Sequence, residues 1–179
     1  MNTSESITEL LDRLCAIVPD YPQPGISFKD LTPVFADPTG LRRLVDELLA
    51  PFAGQFDIVA GLEARGFVLA AAAAYASGTG MLTIRKAGKL PREVYRDEYT
   101  LEYGSGCLEI HRDEVAPGTR VLILDDVLAT GGTVGSAVRL IEKTGAVVAG
   151  IGVVLELDGL DGRGRLGEHQ VVSLQVVHS

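Results

Sequence analysis

The sequence predicts an α/β protein in which a central, mostly parallel sheet is flanked by helices. Short apolar runs bounded by turn residues alternate along the chain with amphipathic or small-residue helical patterns, and strands that alternate with helices form parallel sheets. The apolar runs are continuous rather than alternating, which is typical of strands buried on both faces. No linker, repeat or low-complexity tract interrupts residues 1–179, so we predict a single domain.

The elements follow from the period of the apolar residues and from the positions of proline and glycine. Residues 4–18 are predicted to form a helix with an apolar face, ended by Pro19 at the start of a proline-rich loop. The other elements predicted, in order, are a helix over residues 41–52, a strand over 57–61, a small-residue helix over 66–76, a strand over 81–85, a polar loop or hairpin over 86–103, a strand over 121–124, a helix over 133–144, and strands over 147–155 and 171–177. Ligands of such sheets bind beyond the carboxyl ends of the strands.

Composition limits the functional classes. The net charge of −8 argues against a nucleic-acid partner or an anionic membrane surface. The sequence has no apolar run long enough for a transmembrane helix, and its first residues lack the pattern of a secretory signal. Cys15 and Cys107 have no metal-ligand spacing, so we expect reduced thiols and a cytoplasmic protein.

The segment VLILDDVLATGGT, residues 121–133, carries the strongest functional signal because two adjacent carboxylates precede a turn suited to an anion. A nucleoside triphosphatase would need a G-x-x-x-x-G-K-[ST] loop, and the sequence has none. A dinucleotide site would need G-x-G-x-x-G between a strand and a helix, whereas Gly150 and Gly152 lie inside an apolar strand. A capped turn with solvated acids is the weaker structural alternative.

A sugar-phosphate site explains both halves of the segment. Asp125 and Asp126 can accept hydrogen bonds from two vicinal sugar hydroxyls. Backbone N–H groups at a helix start bind phosphate, and glycine allows close approach. The predicted phosphate-binding residues are Ala129, Thr130, Gly131, Gly132 and Thr133.

Residues 121–133 resemble the signature of the type I phosphoribosyltransferases, which bind 5-phosphoribosyl-1-pyrophosphate. The segments PDYPQPGISFKDLTPVFADP, AGLEARGF, IRKAGKLP and the EY of TLEYG, in this order, resemble the adenine phosphoribosyltransferases within that family. The resemblance covers nearly the whole chain. It implies the type I fold, with a flexible catalytic loop and a small N-terminal hood, about residues 1–35, that binds the base.

The resemblance also implies roles for individual residues. Glu63, Ala64 and Arg65 match the pyrophosphate loop, in which the planar fork of Arg65 suits a pyrophosphate; a surface ion pair with an acid is the structural alternative. Arg85 and Lys89 match basic residues of the closing loop that contact pyrophosphate, and Lys86 matches less closely. Residues 70–74 are expected only to pack a helix closely on the sheet.

Two further sets complete the predicted site. Glu102 matches the catalytic glutamate at the purine, although by itself it resembles an exposed strand residue. Ser27, Phe28 and Lys29 match the adenine-binding loop. The family commonly has an apolar residue at Ser27 and arginine at Lys29, and core packing is the alternative for Phe28. Among residues outside the site, Glu109 and His111 are predicted to lie on the outer face of a strand.

The implied activity is transfer of the phosphoribosyl group to adenine, giving AMP and pyrophosphate. Mg²⁺ would be held mainly by substrate oxygens and water, with no direct side-chain ligand, and the family implies a homodimer. Two alternatives stay open: another purine such as xanthine as the acceptor, or a regulatory module that senses the sugar pyrophosphate without catalysis. Such regulators carry a DNA-binding domain, whereas one short helix precedes the proline-rich loop here.

Overall fold

The computed structural model describes residues 5–21, 23–100 and 105–178 and confirms the predicted α/β class. The helices are α1 (Ile7–Leu14), α2 (Thr32–Ala36), α3 (Pro38–Leu49), α4 (Arg65–Ser77) and α5 (Gly132–Lys143), with 3-10 turns at Ala50–Phe52 and Gly164–Leu166. The strands are β1 (Ala16–Val18), β2 (Phe28–Asp30), β3 (Ile58–Leu62), β4 (Gly80–Lys86), β5 (Val94–Thr100), β6 (Ser105–His111), β7 (Arg120–Leu128), β8 (Val147–Leu157) and β9 (Val171–Val177).

A seven-stranded sheet in the order β5-β6-β4-β3-β7-β8-β9 forms the centre of the molecule. The five strands from β4 to β9 are parallel, and the hairpin β5–β6 joins them through an antiparallel pairing of β6 with β4. One apolar core lies between the sheet and α5, and a second lies between the opposite face and α1, α3 and α4. In this strand order the carboxyl ends of β3 and β7 are direct neighbours, which brings two distant turns together.

The first helix is shorter than predicted. A capping box formed by Ser6 and Glu9 starts α1, but the helix ends at Leu14 because Cys15 adopts an extended conformation. Residues 16–18, predicted as helix, instead pair antiparallel with residues 28–30 in a separate two-stranded sheet. The apolar periodicity of this segment thus extends past the end of the helix. Pairing with a distant strand overrides the local helical preference there.

The small-residue helix packs on the sheet as predicted. A Cβ atom on Gly61 of β3 would lie 2.7 Å from the Cβ of Ala70 on α4, closer than real side chains approach. Ala70 and Ala73 are fully buried. The glycine and alanines thus bring the backbone of α4 close to β3, and this approach places the start of α4 beside the strand ends.

The predicted outer face of β6 is wrong. Glu109 is 0% exposed and His111 is 5% exposed, although Leu108 and Ile110 on the other face are buried as expected. The long side chains of the hairpin cover this second face: Arg96 contacts Glu109 and Arg92 contacts His111. Alternation along β6 could not reveal this cover, because the covering residues come from the neighbouring strand and loop.

Within the described ranges, no helix has the length and apolar character required to cross a membrane.

Candidate active site

Two strand-turn-helix segments meet at the carboxyl edge of the sheet. β3 leads through Glu63 and Ala64 into α4, and β7 leads through the turn at residues 129–131 into α5. β3 and β7 pair in parallel with Gly61 opposite Leu124, so the two turns lie side by side. Each helix begins without a side-chain cap. Because both helices start at this edge, the N–H groups of their first helical turns point toward it, and the helix dipoles there favour an anion.

A small pocket lies at the turn between β7 and α5. A cavity of about 100 Å³ is lined by residues 127–134. Gly131 has φ +77°, a backbone conformation that disfavours other residues, and a Cβ there would lie 2.5 Å from the carbonyl oxygen of Gly162. Sequence reasoning missed this support from residues 158–164, although the three glycines of GLDGRG were a signal.

The two acids lie within β7 rather than beyond the strand end, because β7 continues to Leu128. Asp125 is 8% exposed and Asp126 is 7% exposed. Burial, and then the neighbouring charge of Asp126, raises the pKa of Asp125 well above its usual value. A Cβ on Gly66 would lie 2.9 Å from Asp125 Oδ1, so this glycine allows α4 to approach the acid.

Arg65 connects three parts of the predicted site. Its Nε donates a hydrogen bond to Asp126 Oδ2, across a separation of 61 residues in sequence. Its guanidinium carbon also lies 5.7 Å from the centre of the Phe28 ring, within the range of a cation–π contact. The ion pair considered from the sequence therefore exists, but its partner is the predicted ribose-binding acid. The residues predicted for pyrophosphate, ribose and base thus lie in one place.

Glu63 joins the start of the loop that follows β4 to the turn between β3 and α4. Its Oε2 accepts hydrogen bonds from Arg85 Nε and from the backbone N–H of Lys86, each at 3.1 Å. Burial acts to raise the pKa of Glu63, but these two donors outweigh it and the pKa lies below its ordinary value. Arg85 Nη1 also donates to the carbonyl oxygen of Lys89 at 3.3 Å. The Lys89 side chain is exposed beside this anchor.

The base-binding segment offers one aromatic face and backbone groups. Phe28 is half-buried and contacts Tyr21 edge to face, with ring centres 5.2 Å apart. Lys29 Nζ donates to Asp12 Oδ1 at 2.6 Å and to Gln175 Oε1 at 2.7 Å. This ammonium is thereby engaged by α1 and β9, which leaves the main chain of Lys29 for the predicted base contact. Ser27 is exposed. The predicted catalytic residue Glu102 lies outside the described residues.

A doubly covered sheet with two uncapped helix starts at adjacent strand ends is typical of nucleotide- and sugar-phosphate-binding α/β proteins. Residues 36–177 match the family model described as phosphoribosyl transferase domain. The chain belongs to the phosphoribosyltransferase family and, within it, to the adenine phosphoribosyltransferases.

Relatives that match nearly the whole chain are adenine phosphoribosyltransferases. The adenine phosphoribosyltransferase of Renibacterium salmoninarum is 66% identical over 170 residues, which cover 95% of this chain and 93% of the relative. The crystal structure of the enzyme from Thermoanaerobacter pseudethanolicus is similar with a TM-score of 0.90 and 43% identity, covering 94% and 99% of the two chains. The Saccharomyces cerevisiae enzyme, complexed with an imino-altritol bisphosphate and adenine, has a TM-score of 0.88 and 36% identity, covering 94% and 98%.

Proposed function

We propose that this chain transfers the 5-phosphoribosyl group from 5-phosphoribosyl-1-pyrophosphate to adenine, releasing AMP and pyrophosphate. The observation that carries the proposal is Arg65, which contacts both Asp126 and Phe28 between the two anion-binding turns. A ligand that occupies this place spans a phosphate turn, an acid pair, a guanidinium and an aromatic ring. A phosphoribosyl pyrophosphate beside a purine presents the complementary groups: a 5-phosphate, the ribose hydroxyls, a pyrophosphate and a flat base.

The acid pair and the second turn bind the ribose phosphate in this proposal. Asp125 and Asp126 accept from the two ribose hydroxyls, and the backbone of Ala129 to Thr133 donates to the 5-phosphate. The free N–H groups of the first turn of α5 and the cavity at residues 127–134 support this division. The carboxylates would also stabilise the positive charge that develops on the ring as the leaving group departs.

The turn between β3 and α4 and the cations of the loop after β4 bind the pyrophosphate. Glu63 and Ala64 shape this turn, and Arg65 exchanges its bond with Asp126 for one with pyrophosphate, so the same event frees Asp126 for the sugar. Arg85 is held by Glu63, and Lys89 extends from the same anchor. These cations offset the charge of the departing pyrophosphate, and closure of the loop would exclude water from the reacting carbon.

The base then stacks on Phe28, whose face Arg65 leaves when it turns to the pyrophosphate. Backbone groups of Ser27 and Lys29 read the adenine edge. The purine nitrogen forms the new bond to the anomeric carbon as the bond to pyrophosphate oxygen breaks. Glu102 accepts the proton that the purine loses, so charge balances without another reactant.

Magnesium fits this proposal through the substrate. Mg²⁺ keeps several waters and binds through substrate phosphates with few protein carboxylates. Over the described residues, no group of three or more His, Cys, Asp or Glu side chains could hold an ion. We assign its ligands to pyrophosphate and ribose oxygens and to water, where the bound ion would neutralise leaving-group charge.

The same proposal includes an N-terminal hood of about residues 1–35, a homodimer and a cytoplasmic location. The separate β1–β2 sheet, which carries Phe28, supports the hood. Exposed apolar side chains on α4 support the homodimer. Tyr75 is 92% exposed and Val68 is 42% exposed, on a helix that begins at the active site. The free thiols of Cys15 and Cys107 suit a reducing compartment. Sedimentation equilibrium of the purified protein tests the dimer.

A product assay tests the activity. The purified chain is incubated with the sugar pyrophosphate, Mg²⁺ and each of adenine, hypoxanthine, guanine and xanthine, and nucleotide formation is measured. We expect AMP from adenine as the main product. Preferred use of xanthine would replace adenine as the substrate, and binding of the sugar pyrophosphate without any nucleotide product would favour the regulatory module.

Replacing Arg65 with lysine is expected to weaken the binding of pyrophosphate and of the sugar pyrophosphate while changing AMP binding less. Lysine keeps the charge but lacks the planar fork that can donate two parallel hydrogen bonds. Calorimetric titration with each ligand measures the difference. The matched control is Arg120→Lys, because Arg120 binds Asp57 at the opposite end of the sheet. Equal losses for AMP and pyrophosphate would identify Arg65 as a structural residue.

A further inference from the structure

Glu109 is a buried carboxylate to which the proposed mechanism gives no role. It lies on β6 between Arg85 of β4 and Arg96 of β5, its partners in the two strand pairings. Oε1 accepts from Arg96 Nε at 2.6 Å, and Oε2 accepts from the backbone N–H of Gly88 at 2.9 Å. Its side chain is 1% exposed, whereas that of Arg96 is 66% exposed. A buried carboxylate is costly unless it is paired and hydrogen-bonded, so these two contacts hold it in one geometry.

The Gly88 contact is a fixed point of the loop that follows β4. Gly88 has φ +80° and lies in the turn immediately before Lys89. On the other side of this turn, Arg85 Nη1 donates to the Lys89 carbonyl. Glu109 and Arg85 thus grip successive residues of the loop from two different strands. The Lys89 backbone is therefore held at a defined place while its side chain stays exposed.

From this geometry we infer that Glu109 is a positioning residue that holds Lys89 at the pyrophosphate subsite. It acts through the backbone of Gly88 and contacts no reacting atom. Arg96 keeps the Glu109 carboxylate in place from the solvent side. This inference rests on the proposed function, because it assigns Lys89 to the pyrophosphate.

Glu109→Gln tests the inference because glutamine keeps the size and an acceptor for Gly88 but loses the charge. We expect the KM for the sugar pyrophosphate and the inhibition constant of pyrophosphate to rise by about tenfold, the scale of a charge-assisted hydrogen bond. The KM for adenine and the inhibition constant of AMP should stay close to those of the parent, because neither ligand carries a pyrophosphate. A purely structural defect would lower the active fraction without this separation.

Three further variants sharpen the result. In Lys89→Ala, adding Glu109→Gln should cause little further loss, since residues acting as one unit are not additive. Arg96→Met removes the exposed charged partner of Glu109 but retains the Gly88 contact. It should shift the same constants in the same direction. The matched control Asp57→Asn removes a charged partner of Arg120, 2.6 Å away, at the amino edge of the sheet and should leave the kinetics unchanged.

Additive losses in the double variant, or equal changes for AMP and pyrophosphate, would overturn the inference. Hydrogen exchange of peptides covering residues 86–93 gives a readout that needs no turnover, and exchange should be faster in Glu109→Gln. If the parent forms no nucleotide with any purine, the proposed function fails. Calorimetric binding of magnesium pyrophosphate to parent and variant then decides the role of Glu109 by itself: weaker binding to the variant supports it, and equal binding rejects it.

Discussion

Replacing Asp125 and Asp126 together with asparagine is expected to lower the rate of AMP formation by about 100-fold or more, the scale of losing a preorganised transition-state contact. Asparagine preserves the shape of each side chain but removes both charges. The ribose hydroxyls then lose charge-assisted acceptors, and the developing cation loses its nearest anions. Steady-state AMP formation with saturating substrates measures the effect, with circular dichroism as the check on folding.

Asp57→Asn is the matched control for the acid pair, since that carboxylate pairs with Arg120 at the amino edge of the sheet, away from the site. It should retain the parent rate. Near-normal turnover in the double variant would remove the ribose-binding role from the acid pair.

The single variant Asp125→Asn is expected to separate stability from activity. Because the pKa of Asp125 is raised by burial and by Asp126, ionising it costs the folded state free energy. The amide should therefore raise the free energy of unfolding, by about 1 kcal/mol, while activity falls. The gain should be absent below the ordinary carboxyl pKa and grow as pH rises toward the folded pKa. Chemical denaturation at several pH values measures it, and no gain at neutral pH would contradict the burial argument.

Replacing Glu102 is expected to slow the chemical step by roughly 10²–10⁴-fold, the range of general-base catalysis. Glu102→Gln keeps one acceptor with lower basicity, and Glu102→Leu removes both, so the leucine variant should be slower. Binding of the sugar pyrophosphate should hardly change, because the proton is lost only as the base attacks. Rapid-quench measurement of AMP in the first turnover, with equilibrium binding alongside, separates the two effects.

Glu98→Gln provides the control for Glu102, since Glu98 is an exposed glutamate on β5, four residues earlier in the sequence. It should leave the first turnover unchanged. If the Glu102→Gln variant forms AMP as fast as the parent, the proton passes to solvent or to another group.

Much of the candidate site could be predicted because its parts are local in sequence. The acids, the glycines and the start of α5 follow one another within 13 residues, so a strand, a turn and a helix fix their relative positions. The same holds for Glu63 to Arg65 before α4. The partners of the cations could not be predicted in this way. Lys29 meets Gln175 across 146 residues, and no local pattern reports such a contact.

The sequence by itself determined the α/β class and the two strand-turn-helix segments that carry the candidate site, because apolar period, glycine positions and helix starts act over a few residues. The tertiary structure alone decided which turns are neighbours, through the pairing of β3 with β7. It also ended α1 at Leu14 by pairing β1 with β2, and it buried Glu109 beneath Arg96 and the loop at Gly88. The physical reason is the same in each case: strand pairing and burial join residues far apart in the chain, and their free energy outweighs local preference.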